Sequence, residues 1–165
     1  MTKAAKGRTY AEVIALAKAR EAVVKLCVDG QLAAEADRLT AELAVLKDKP
    51  GVSLADGADR ARVQAELDEY AELMRQAEVE FRFRSLPRKE RSDLIAKHPP
   101  RPGKEGEEEW NLETFPSALV AACAIEPVMS LPEVEALFDV LNEDGCARLF
   151  NAAWRANQAP TNIPS

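Results

Sequence analysis

The chain has 165 residues with a net charge of −6 and a pI near 5.0, and 47% of its residues are hydrophobic but only 5% aromatic. This length fits one domain or a small domain with an extension, and a core built mainly from Ala, Leu and Val favours helix. The acidic balance argues against a nucleic-acid partner, and no apolar run is long enough for a membrane span, so we expect a soluble, intracellular protein.

The N-terminal part of the chain predicts a disordered start followed by a helix. Residues 1–8 carry three basic side chains and no apolar run. From Thr9 the apolar rhythm is helical, and Glu12 stands at the capping-box distance from Thr9. This helix extends to about residue 29, where Gly30 either ends it or stands exposed in a longer continuous helix.

Two apolar seams with the 4, 3, 4, 3 spacing of a coiled coil follow, separated by Pro50 and Gly51. They predict an antiparallel helical hairpin within residues 9–79, closed within the chain because sequential elements usually pack together; pairing with another chain stays an alternative. The seam or partner-surface residues are Leu32, Leu39, Leu43, Leu46, Val63, Leu67, Tyr70 and Met74.

A change of period at Val79 marks the start of the second half. Val79, Phe81 and Phe83 alternate with charged residues, which predicts a short strand or extended segment that ends before Pro87. A basic cluster overlaps it and is either an anion or nucleic-acid site or an ordinary surface balanced by acids. We favour the second, because Phe81 and Phe83 share one face and do not offer stacked bases a platform. The cluster comprises Arg82, Arg84, Arg88, Lys89 and Arg91.

The remaining chain predicts a compact helical module over residues 80–157, with a mobile loop at 99–109 and a flexible tail at 158–165. Ser130, with Glu133 three residues later, is the N-cap of one of its helices. The predicted fold is therefore mainly α: a coiled-coil-like N-terminal hairpin, then a small helical module entered through one short extended segment. Its core anchors are Phe81, Phe83, Trp110, Phe115, Phe138, Phe150 and Trp154.

The sequence contains few residues in the patterns that catalysis or metal binding requires. The three cysteines are far apart and form no CxxC, and the single histidine, His98, precedes two prolines. No glycine-rich phosphate loop is present. We therefore expect no enzyme activity, no catalytic residues, no metal and no cofactor.

Residues 81–157 resemble the tail assembly chaperones of long-tailed bacteriophages of actinobacterial hosts. The likeness is carried by FRFRSLPRKERSDLIAKHPP at 81–100, WNLETFPSALVAACAIEP at 110–127 and LNEDGCARLFNAAW at 141–154. The resemblance implies a mainly helical, non-enzymatic protein that binds the tape-measure protein and helps recruit tail-tube subunits around it. It also implies a location in the host cytoplasm and absence from the mature virion.

Two other functions are compatible with the same residues. A structural or scaffold component of the virion would oligomerise through the hairpin. A small DNA-binding regulator would use the basic cluster at 82–91, with binding that weakens steeply as salt rises.

Overall fold

The protein is described from a computed structural model, which covers residues 7–49 and 53–165. Within these residues it is 60% helical, with seven helices and a three-stranded antiparallel sheet, so the mainly α prediction is partly right. The prediction for residues 1–8 falls mostly outside the described residues. In chain order the elements are α1 (Tyr10–Leu16), β1 (Glu21–Cys27), α2 (Gly30–Asp48), α3 (Leu54–Gln76), β2 (Glu78–Arg84), α4 (Arg88–Ala96), α5 (Phe115–Cys123), β3 (Ala124–Glu126), α6 (Leu131–Val140) and α7 (Glu143–Gln158).

The prediction of one helix from Thr9 to about residue 29 is wrong. The capping box of Thr9 and Glu12 is present, but α1 ends at Leu16 after seven residues. The segment Glu21–Cys27 is strand β1, whose exposure alternates from residue to residue. Its two adjacent valines are β-branched, which suits an extended, half-buried surface better than a helix. Gly30 therefore neither ends a helix nor interrupts one, and is instead the first residue of α2, capped by Asp29.

The sheet has the order β1-β2-β3, so the strand recognised from the sequence, β2, lies at its centre. The β1–β2 register runs from Glu21 opposite Arg84 to Cys27 opposite Glu78. Strand β3 has only three residues and follows α5 directly. The sequence predicted β2 as a single extended segment leading into the helical module. It is instead the central strand of a sheet that joins distant parts of the chain.

The predicted two-part architecture, a hairpin followed by a separate module, is also wrong. Helices α2 and α3 do pack on each other, but they are inserted between β1 and β2, which belong to one sheet. Their contact is a small cluster of fully or nearly buried Leu39, Leu43 and Val63, bordered by partly buried side chains. The N-terminal part of the chain therefore contributes an edge strand to the sheet on which the C-terminal helices pack.

The main core lies between the inner face of the sheet and helices α5 and α7. Phe81, Phe83 and Phe115 are the buried aromatic residues of this core. Trp110, whose ring centroid is 4.7 Å from that of Phe115 and 4.9 Å from that of Trp154, joins an aromatic cluster at its border. The other predicted anchors are partly buried and packed against the same core; they are Phe138, Phe150 and Trp154.

The loop between α4 and α5, where the sequence predicts a mobile segment, contains a turn around one buried carboxylate. Gly106 has φ of 82°, a conformation that favours glycine. The Glu107 side chain is only 1% exposed, and it accepts hydrogen bonds from Arg101, from that residue's backbone N–H and from the Leu112 N–H. The Arg101 guanidinium and these amides lower the pKa of Glu107 from 4.5 to about 2.

This carboxylate predicts a pH-dependent contribution to stability. Because the folded pKa of Glu107 lies below its ordinary value, the contribution is complete above pH 4.5 and is lost as the pH falls towards about 2. We expect Glu107→Gln to lower the melting temperature at pH 7 and to differ little from wild type near pH 2. Its exposed neighbour supplies the control, since Glu108→Gln should melt like wild type throughout. A constant gap between Glu107→Gln and wild type across this range would contradict the assignment.

Candidate binding surface

The single histidine is held in a structural position. His98 Nδ1 lies 2.9 Å from Thr114 Oγ1, and the imidazole ring packs edge-on against Phe115. The His98 carbonyl also accepts a hydrogen bond from the Asn111 N–H, which ties the end of α4 to the start of α5. The residue thus joins two segments of the core border.

Cys123 and Cys146 lie in surroundings that disfavour the reactive thiolate. Burial raises the pKa of Cys123, and its sulfur accepts a hydrogen bond of 3.3 Å from Asn157. Burial also raises the pKa of Cys146. Since the thiolate is the nucleophile, these thiols favour packing over chemistry.

The described ranges 7–49 and 53–165 contain neither a cluster of metal-ligating side chains nor a helix that could span a membrane. No group of three or more His, Cys, Asp or Glu side chains in them is placed to hold a metal ion. No helix in the same ranges is both long and apolar enough to cross a membrane.

Three residues of the basic cluster are paired with acids, namely Arg82 and Arg84 on the outer face of the sheet and Lys89, which pairs with Asp93 on α4. Arg82 contacts Glu21, Glu80 and Glu126, and Arg84 forms a 2.8 Å ion pair with Glu21. The Arg84 guanidinium lowers the pKa of Glu21, so this acid keeps its charge to lower pH. Such a balanced surface gives phosphates little net attraction.

The predicted seam residues face each other across the hairpin. The cluster between α2 and α3 is formed by buried Leu39, Leu43 and Val63, with Leu46, Leu67 and Tyr70 packed against it. Leu32 and Met74, at the base of the hairpin, are half-buried. Because the seam is occupied within the chain, a partner of the hairpin has to contact other residues.

A groove of about 350 Å³ opens at the base of this hairpin, beside the end of β1 and the turn between α6 and α7. Of the residues that line this groove, only Met74 was predicted from the sequence to be part of a partner surface. The others could not be predicted, because the walls of the groove combine β1, α2 and α3 with the distant helices α6 and α7. The groove is mainly apolar. Its lining consists of Leu26, Cys27, Val28, Gly30, Ala33, Ala34, Asp37, Met74, Val140, Leu141, Asn142, Asp144, Gly145 and Arg148.

The α2 wall of the groove is made of small residues on one helix face. Gly30, Ala33 and Ala34 stand at the i, i+3 and i+4 positions that share a face. A Cβ added at Gly30 would meet no atom within 4 Å, so the wall is open at that point. Small residues of this kind allow another backbone to approach closely.

The opposite wall and rim combine apolar and charged groups. Val140, which is 78% exposed, adds an accessible apolar side chain to this lining. Asp37 and Asp144 stand at the rim together with Arg148. The groove can therefore bury the apolar stripe of a helix and still offer carboxylates to basic residues along the edge of that stripe.

Comparison of this chain with known protein families, with curated proteins and with solved structures found no match.

Proposed function

We propose that the protein is a tail assembly chaperone of a long-tailed bacteriophage, which binds the tape-measure protein without enzymatic chemistry and helps recruit tail-tube subunits. The proposal starts from the resemblance of residues 81–157 to that class of proteins. The observation that supports it best is the open apolar groove at the hairpin base, lined by small residues and by exposed Val140.

The chemistry of the groove suits a long helical partner. An amphipathic helix laid in a groove buries side chains at i, i+3, i+4 and i+7, and the stripe of small residues at Gly30, Ala33 and Ala34 has the matching spacing. The volume of about 350 Å³ accommodates a few such side chains at a time. A shallow site of this size holds a segment reversibly, as a chaperone that leaves the finished particle requires.

The groove can be closed without disturbing the core. Gly30→Arg places a long side chain into the open space, where it also meets the acidic rim at Asp37. Gly57→Arg is the matched control, because a Cβ there also meets nothing within 4 Å and Gly57 lies near the start of α3, outside the groove lining.

We expect Gly30→Arg to weaken binding to the tape-measure protein of the same phage by about tenfold or more, since about 1.4 kcal/mol of lost contact suffices. Binding is read by co-expression, as the fraction of tape-measure protein kept soluble and co-purified. Gly57→Arg should behave like wild type. If both variants co-purify equally with the tape-measure protein, the groove is not the binding site. If the wild-type protein does not bind the tape-measure protein, the proposed chaperone function is wrong.

Mass spectrometry of purified particles provides a second test of the function. We expect the protein to be abundant in infected cells, in the host cytoplasm, and missing from mature virions. Stoichiometric amounts in the particle would instead support a structural component.

A further inference from the structure

We propose that strand β1 pairs antiparallel with β1 of a second copy of this chain, which joins two three-stranded sheets into one of six strands. β1 lies at the edge of the sheet, and in the described part of the chain no further strand lies beyond it. An open edge presents unpaired backbone groups and is a template for another strand. This inference does not depend on the proposed function.

The hydrogen bonds at the ends of the β1–β2 ladder show which backbone groups face the open edge. The Ser85 N–H donates to the Arg20 carbonyl at 2.8 Å, and the Val28 N–H donates to the Ala77 carbonyl at 3.2 Å. In an antiparallel ladder such bonded pairs occur at every second residue. The even-numbered residues of β1 therefore bond to β2, and Glu21, Val23, Lys25 and Cys27 turn their N–H and C=O groups towards the open edge.

One register of self-pairing matches charge as well as hydrogen bonds. When a two-fold axis passes beside Val23, Glu21 lies opposite Lys25 of the second copy, and this pair occurs twice. Lys25 makes no ion pair within the described residues, so it is available to this contact, and Glu21 would add it to its existing ion pairs with Arg82 and Arg84. Shifting the register by two residues in either direction separates Glu21 from Lys25 of the other copy and leaves both charges opposite uncharged residues.

The apolar residues of β1 fit the same register. Val23 is 42% exposed on the outer face and would meet itself at the centre of the pairing. Ala22 and Val24 face the core but are only half-buried, as expected where an edge is uncovered. In the dimer Ala22 of one copy would lie opposite Val24 of the other. This pairing would extend the apolar inner face of the sheet across the two copies.

The edge also lacks most features by which proteins prevent such pairing. β1 has seven residues and no proline, and its pairing with β2 runs without a register shift. Lys25 is its one cation, and Glu21 neutralises it in the proposed dimer. Three opposed pairs would exchange about six hydrogen bonds. Since such an interface is small, we expect a dissociation constant on the order of micromolar.

The first experiment reverses charges at the two ends of the register. Lys25→Glu places two glutamates opposite each other, and Glu21→Lys places two lysines opposite each other, so each variant alone should dimerise about tenfold more weakly than wild type. When they are mixed, one chain carries both lysines and the other both glutamates, and a heterodimer should re-form. Sedimentation velocity of the full chain, with circular dichroism as the folding control, measures this.

The second experiment tests the register by cross-linking in a Cys27→Ser background. At Val23 the two Cα atoms would be about 5.5 Å apart, within the range of a disulfide. We expect Val23→Cys to form a covalent dimer on mild oxidation. Lys25→Cys is the matched control, because the two cysteines would be about 13 Å apart along the strands and should not cross-link.

The proposal is supported by rescue on mixing and by cross-linking at position 23 alone. It is overturned if wild type sediments as an 18.1 kDa monomer at concentrations well above the micromolar range, or if positions 23 and 25 cross-link equally. Neither experiment contains the tape-measure protein, so its outcome is separate from that of the chaperone test.

Discussion

Phe83→Ala should lower the free energy of unfolding by about 3–5 kcal/mol, the range for truncation of a buried aromatic side chain. Phe83 is fully buried on the central strand, with Ala22 opposite it on one side and Ala124 on the other. Because both neighbours are small and fixed by the sheet, they cannot fill the cavity. Urea unfolding followed by fluorescence measures the change.

Tyr10→Ala supplies the control for this substitution. Tyr10 is 80% exposed on α1, a helix with no buried residues, so its removal should change stability by no more than about 0.5 kcal/mol. A loss below about 1 kcal/mol for Phe83→Ala would mean that the centre of the sheet is not the core of the protein.

Replacing residues 29–76 with Asn-Gly should remove the α2–α3 hairpin and leave the rest of the protein folded. Val28 and Ala77 are a hydrogen-bonded pair, with the Val28 N–H 3.2 Å from the Ala77 carbonyl. A two-residue type I′ turn closes such a pair, and Asn-Gly is its favoured sequence. The main core contains no buried residue of α2 or α3, so its packing needs neither helix.

The expected result is a protein that still unfolds cooperatively but has lost the two longest helices, of 19 and 23 residues, from its far-ultraviolet circular dichroism signal. On the proposed function it should also lose binding to the tape-measure protein, since α2 forms one wall of the groove. The full chain with Asn-Gly inserted after Lys49, at the end of α2, should keep both the helical signal and the binding. Non-cooperative unfolding of the deletion variant would show that the hairpin and the sheet are one folding unit.

Local signals predicted the elements whose determinants lie close together in sequence. The capping boxes of Thr9 with Glu12 and of Ser130 with Glu133 are both present, because their hydrogen bonds span three residues. The alternation at Phe81 and Phe83 correctly predicted an extended segment. These patterns depend on neighbours that the sequence shows directly.

Long-range pairing explains what the sequence could not reveal. β1 is a strand because residues some sixty positions away supply its hydrogen bonds, and its short EAVVKLC pattern suits a helix as well. The groove escaped prediction for the same reason, since it combines the start of α2 with the α6–α7 turn. Glu107 lies in the segment that the sequence predicts to be a mobile loop, and only the fold shows that Arg101 pairs with it.

The position of the hairpin between β1 and β2 has a consequence for synthesis on the ribosome. β1 leaves the exit tunnel before the hairpin, and its partner strand β2 is complete only when Arg84 has emerged. Helices α2 and α3 contact residues close in sequence, so we expect them to form during this interval. Once α2 and α3 have paired, they hold together the two ends of the segment that connects β1 to β2. The entropy cost of bringing the two strands together is then close to that of closing a short turn. A nascent chain slowed within α3 would therefore keep its most pairing-prone strand exposed for longer.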